Sequence, residues 1–183
     1  MATNFPGSLD SFTNPVAGDS LASPSHAGQH ADVNDAIEAI ETKLGIGAHT
    51  IGEWTSFTPV FTNFTLGNGT VSAKYCQIND VVLVVGQAVF GSTSSLSGYV
   101  FVNHPVGACG SPIDVFNGVV RWTDTGTATY TGNCQMSSTY VRLGVNNVIA
   151  LNAGVRYGAT SSTFPFTFTT SDSFYWSYWY QKA

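Results

Sequence analysis

Charge is what this sequence has least of. Only 9% of its 183 residues are Asp, Glu, Lys or Arg, while 13% are aromatic. Disordered chains show the opposite balance, so a packed polypeptide with a neutral polar surface is expected. The few charges form no basic cluster, which excludes nucleic acid and anionic lipid as expected partners. No apolar run approaches the roughly 20 residues that cross a bilayer. The opening Met-Ala-Thr-Asn has neither the basic nor the apolar part of a secretion signal, so a soluble product made in the cytosol is expected. Cysteine is scarce as well. Cys76, Cys109 and Cys134 are odd in number, far apart and without Cys-x-x-Cys spacing, and they read as three reduced, mostly buried thiols rather than a disulfide framework or zinc site.

Catalytic patterns are missing too. His49 and His104 stand beside no nucleophile motif, and Gly67-Asn-Gly69 reads as a turn rather than a phosphate cradle. The carboxylates after residue 53 are scattered singly, so a two-carboxylate glycosidase would have to be built from pairs distant in sequence. No enzyme, cofactor or metal is expected.

What is present is divided unevenly. Asp10, Asp19, Asp32, Asp35, Glu38 and Glu41 against Lys43 account for the whole net charge of -5, and the remainder balances to zero. Aromatics show the reverse bias, with all but Phe5 and Phe12 lying from Trp54 onward. Between these halves lies a helical segment, residues 26–45, in which Val33, Ile37, Ile40 and Leu44 recur at spacings of 4, 3 and 4. That narrow stripe is a coiled-coil seam, and an Ile at both kinds of core position favours three strands over two, so a short parallel trimeric coiled coil is expected. The same register reaches back through His30 to His26. If both rings lay on a trimer axis, the imidazolium charges would repel and acid would loosen the stalk. Asp32, with Asp35 three residues on, is the stronger cap by composition, however, and a helix starting there leaves both histidines in the incoming segment.

Residues 1–25 carry Pro6, Pro15 and Pro24 among many small polar residues, so they read as an extended arm. Phe5, Leu9, Phe12 and Val16 recur within it, and a plain linker would not keep such groups in water. They read as pegs for a partner surface. Residues 46–53, with Gly47 and Gly52, form a glycine joint.

From residue 54 to 183 short strand-like runs follow one another, as in an antiparallel β-sandwich or jelly roll. Strands are expected at 58–65, 71–78, 81–90, 99–103, 115–122, 127–131, 133–143 and 154–157. An aromatic close follows at 164–169 and 174–180. Turns are expected at 66–70, 79–80, 124–126 and 132–133. Val81-Val-Leu-Val-Val85 is apolar on both faces and is expected to be covered twice, centrally or by a neighbouring subunit. On the last strand Phe174, Trp176, Tyr178 and Tyr180 share one face and Trp179 lies on the other, which assigns these rings to head packing or a trimer interface. Trp122 is expected on a loop, where it is the candidate glycan contact.

The arm, Phe5-Pro-Gly-Ser-Leu-Asp-Ser-Phe-Thr-Asn-Pro15, followed by the stalk from Ser25 to Gly45, resembles the N-terminal segment of tailed-bacteriophage virion appendage proteins, the minor tail proteins or short fibres. The segment from Thr58-Pro to Thr65-Leu-Gly-Asn-Gly-Thr-Val-Ser-Ala-Lys-Tyr75, with Phe90-Gly-Ser-Thr-Ser94 after it, is similar to the β head that follows in many of them. The resemblance implies a homotrimeric structural protein, synthesised in the host cytoplasm and held in the virion by its N-terminal arm against other virion proteins. Its β head would face outward for attachment to a host surface, with a glycan as one class of receptor. It implies no catalytic residue and transfers no receptor-binding one. A capsid decoration or head-fibre protein is the first alternative, and a polysaccharide-degrading enzyme the second.

Overall fold

The computed structural model describes residues 25–44, 52–110, 116–148 and 155–183, with positions 18, 20 and 22; of the side chains at 41–44, 147–148 and 155–157 nothing is said. The chain divides into two compact units, Met1–Glu53 and Trp54–Ala183, taken separately below. The peg residues Phe5, Leu9, Phe12 and Val16 lie outside the described residues, as do positions 46–51 of the glycine joint.

In the first unit one helix, α1, spans His26–Leu44. Its start corrects the expectation of a helix beginning at Asp32. Ser25 is the cap: its hydroxyl accepts the Gly28 N–H at 3.2 Å and its carbonyl accepts the Gln29 N–H at 2.9 Å. A serine at this position satisfies the third helical N–H, which no residue of the helix can do. Both histidines are therefore helical. Their Nε2 atoms lie 3.1 Å apart, with the rings edge to face at 4.5 Å. Val33, Ile37 and Ile40 stay 45–48% exposed along one stripe. Leu44 belongs to the helix, but its side chain is outside the described set.

The second unit is mainly β. Its strands are β1 (Thr55–Ser56), β2 (Phe61–Thr65), β3 (Thr70–Ile78), β4 (Val81–Val89), β5 (Ser95–Asn103), β6 (Phe116–Asp124), β7 (Ala128–Met136), β8 (Tyr140–Leu143), β9 (Val145–Val148), β10 (Val155–Gly158) and β11 (Ser173–Gln181). Nine join one antiparallel sheet in the order β1-β3-β4-β11-β6-β7-β8-β5-β2, and β9 pairs with β10. The expectation of a sandwich or jelly roll is met at the level of antiparallel β structure; the ladder itself runs as one curled sheet.

The last strand lies in the interior of that order. β11 sits between β4 and β6, and Phe174, Trp176, Tyr178 and Tyr180 are almost wholly buried on its inner face. The curl is visible in the rings: Phe61 and Phe64 come from β2, five places along the order, yet stand 5.1–6.1 Å from Phe174 or Trp176. Gly86 on β4 lies opposite Trp176, and a Cβ there would run into the indole. Residues 164–169 form no strand; Phe166 and Phe168 instead pack their rings 4.3 Å apart over the core, with Phe168 stacked on Phe90 at 4.8 Å.

β7 departs from the sequence reading in an instructive way. The expected turn at 132–133 is absent, and the strand runs straight through, with Gly132 paired to Val120. A Cβ on Gly132 would strike the carbonyl oxygen of Gly144, so this glycine allows close backbone approach rather than a turn. The real break follows at Ser137, whose N–H donates to the Tyr140 carbonyl at 2.9 Å.

Gly132→Ala is therefore expected to destabilise the protein by about 1–3 kcal/mol, because backbone must shift to admit the methyl group. Gly98→Ala, whose methyl would meet only Asn63 at 3.4 Å, should stay within about 0.5 kcal/mol of the parent. Urea denaturation of both variants checks this; equal midpoints would contradict it.

Candidate binding surfaces of the head

Alternation along a strand sends every second residue inward, and the two outer surfaces of the head follow from what that rule leaves outside. On β4 the inner residues Val82 and Val84 are fully buried, whereas Val81, Leu83 and Val85 are 37–40% exposed. The expected double burial of this strand is thus corrected for the single chain: central position covers its edges and one face only. Leu83 pairs with Trp179 and Val85 with Ser177 on β11, while Ile78 pairs with Val81 across β3 and β4. Val119 on β6 extends the patch beyond Ser177. Trp179, at 48% exposure, is consequently separated from the four buried rings of its own strand. Four residues earlier on the same face the Arg121 guanidinium stands 4.5 Å over the Tyr175 ring, along a groove of about 450 Å³. This surface is largely aliphatic, with Arg121 and, opposite Val85, Lys74 as its cations.

The second surface has a different character. β2, β5 and β8 are neighbours, with Thr62 opposite Phe101, Phe101 opposite Arg142 and Asn103 opposite Tyr140. Their outward residues form two adjoining hollows. One, of about 320 Å³, is lined by Val60, Thr62, Phe101, Asn103, Thr139 and Tyr140. The other, of about 120 Å³, adds Gln135 and Arg142. The Phe101 and Tyr140 rings, edge to face at 4.8 Å, belong to both. Arg142 lies 4.7 Å over the Tyr99 ring, and Asn103 is fixed by accepting the Val60 N–H on Oδ1 at 2.6 Å. The Oε1 atom of Gln135 is buried with no hydrogen-bond partner.

Trp122 belongs to neither surface. It sits on β6 opposite Phe174, is fully buried, and donates its indole N–H to the Gly144 carbonyl at 3.1 Å. The glycan contact expected there is corrected, because the register of β6 turns this ring inward. Tyr99, Phe101, Tyr140 and Arg142 went unremarked in the sequence. The signal lay in Tyr99-Val-Phe-Val-Asn103 and Tyr140-Val-Arg-Leu143, where one face of each strand is aliphatic and the other aromatic or polar.

The interior offers little chemistry. Asp172 is buried and accepts the N–H groups of Thr125 and Thr169 and the Thr169 hydroxyl, a turn clasp. All three thiols are buried, and burial pushes the Cys134 thiol far above its ordinary value. Among the described residues no three His, Cys, Asp or Glu groups converge to hold a metal, and no helix is long and apolar enough to cross a membrane. Compared with known proteins, the chain matches no family model, no curated protein and no solved structure.

His104 is the one buried histidine of the head. Its Nε2 donates to the Ser137 carbonyl at 2.9 Å, so Nδ1 is the acceptor facing the Tyr178 hydroxyl at 3.4 Å, and the ring stacks 4.3 Å from Tyr180. Burial lowers its pKa, opposed in part by the Ser137 carbonyl. An unfolded histidine takes up its proton near pH 6.5, which the folded one resists. Stability held above that pH should be lost as the pH falls toward the depressed folded value. Urea midpoints are expected to drop between pH 7.5 and 5.5, and to drop less in His104→Gln; equal slopes would show that this residue carries none of the dependence.

Proposed function

We propose that the chain is a homotrimeric structural protein of a bacteriophage particle: a short fibre held by its arm, residues 1–25, and presenting a β head for attachment to a host surface. In this reading α1 is a parallel three-stranded coiled coil, and the head is a sandwich whose two layers are halves of one curled sheet. The observation that carries it is the aliphatic stripe of α1. Val33, Ile37 and Ile40 are spaced for a seam and remain close to half exposed, which a helix tolerates only when something apolar covers it. Identical helices are the cover that a narrow stripe fits best, since each copy presents the same knobs and holes. The largely aliphatic face around Leu83, Trp179 and Val119 supplies a second contact between copies, of the apolar kind that obligate interfaces use. Mounting on the capsid rather than the tail is the alternative, favoured by the small head.

Three consequences can be measured. The isolated 1–53 segment should gain helical circular dichroism with concentration, and Ile37→Asp with Ile40→Asp should abolish that gain; concentration-independent helicity would remove the coiled coil. Deleting residues 1–24 should leave a soluble protein that no longer joins particles, and normal incorporation would refute the anchor role. Labelling the intact chain on particles separates tail from capsid.

A further inference from the structure

We propose that His26 and His30 form a chelating site for a divalent transition-metal ion of the zinc class. The Ser25 cap places both histidines inside α1, one turn apart on the same side of the helix. There the two side chains converge. Their Nε2 atoms are 3.1 Å apart while the ring centroids are 4.5 Å apart, so the rings splay away from the point where the nitrogens meet.

That spacing fits a metal ion. At a metal–nitrogen length of about 2.0–2.1 Å, two atoms 3.1 Å apart subtend about 95–102° at the ion, between the octahedral and tetrahedral values. Without metal the same contact is an N–H···N hydrogen bond, one ring donating from Nε2 and the other accepting. Binding moves the donor's proton to Nδ1 of its own ring, which puts both Nε2 lone pairs on the ion and releases no proton. Both residues are exposed, so the ion can enter and water can accept the Nδ1–H groups. Imidazole nitrogen selects zinc, nickel or copper over magnesium and calcium, which prefer oxygen.

The surrounding charge is favourable. Residues 1–52 hold six carboxylates against one lysine, Lys43, which stands at the far end of α1. The positive end of the helix dipole opposes the ion, but salt screens that effect at an exposed terminus. Two histidines are half of a tetrahedral set, and water completes the set in a lone chain. In the trimer proposed above, His26 and His30 fall one heptad before Val33 and Ile37, so pairs from neighbouring copies meet at one level of the rod and can share an ion. That sharing rests on the trimer, whereas binding by the pair does not.

Equilibrium dialysis of the full chain against Zn(II), Ni(II) and Mg(II) at neutral pH tests the site. Zn(II) and Ni(II) should bind with a Kd of about 100 μM or below, and Mg(II) at least about tenfold more weakly. His26→Gln and His30→Gln should each weaken zinc binding by about tenfold or more, while His49→Gln, outside the pair, should change it by less than about twofold. In proton NMR, Zn(II) should shift the ring signals that these two variants lack and leave those of buried His104 in place. No zinc binding up to about 1 mM, equal affinity for Mg(II), or His30→Gln binding zinc as the parent does would overturn the proposal. Sedimentation separates this result from the trimer: a single chain that binds zinc keeps the pair and loses the trimer, and a trimer indifferent to zinc does the reverse.

Discussion

The row of Phe174, Trp176, Tyr178 and Tyr180 is the constraint from which the head follows. Four large rings on one face of one strand bring on the order of 150–250 Å² each to be covered. A flat sheet would leave that face in water. The nine strands therefore curl until β2, at the far end of the order, lays Phe61 and Phe64 against the row. Space for the largest ring is made by subtraction, with Gly86 opposite Trp176. At roughly 25 cal/mol per Å² of apolar surface removed from water, this contact outweighs any hydrogen bond in the head.

The same strand also explains why the single head leaves apolar surface exposed. With a period of two, a strand carrying rings at nearly every position must present half of them outward. Tyr175 and Trp179 fall on that side, joined by Val81, Leu83 and Val85 of β4 and Val119 of β6. Helix α1 repeats the situation with a period of 3.6, leaving Val33, Ile37 and Ile40 close to half exposed. Two different elements thus leave apolar surface open, while the half of the curl that carries Phe101, Tyr140 and Arg142 mixes rings with polar groups.

How much of this the sequence disclosed depended on whether a signal was local. β3, β4 and β11 were readable because their runs of β-branched and aromatic residues are long and bounded by turn residues, and the inner and outer residues of β11 separate as its pattern implied. Gly132 misled because glycine before asparagine is ordinary turn chemistry, and the carbonyl of Gly144 that it accommodates comes from the next hairpin. Trp122 misled similarly: its face is fixed by the register against β11, more than fifty residues away. The helix start was hidden by Gly28, a poor helix former next to the true cap at Ser25, while Asp32 offered a more familiar signature. The hollow lined by Phe101 and Tyr140 is assembled from segments near residues 60, 101 and 140, and no single stretch contains it.

The most direct measurement of the central claim is sedimentation equilibrium on the intact protein at neutral pH. A single species with three times the mass of the chain is expected, held across a wide concentration range. A lone or paired subunit at micromolar concentration would contradict it, and with it the reading of both open apolar surfaces as contacts between copies.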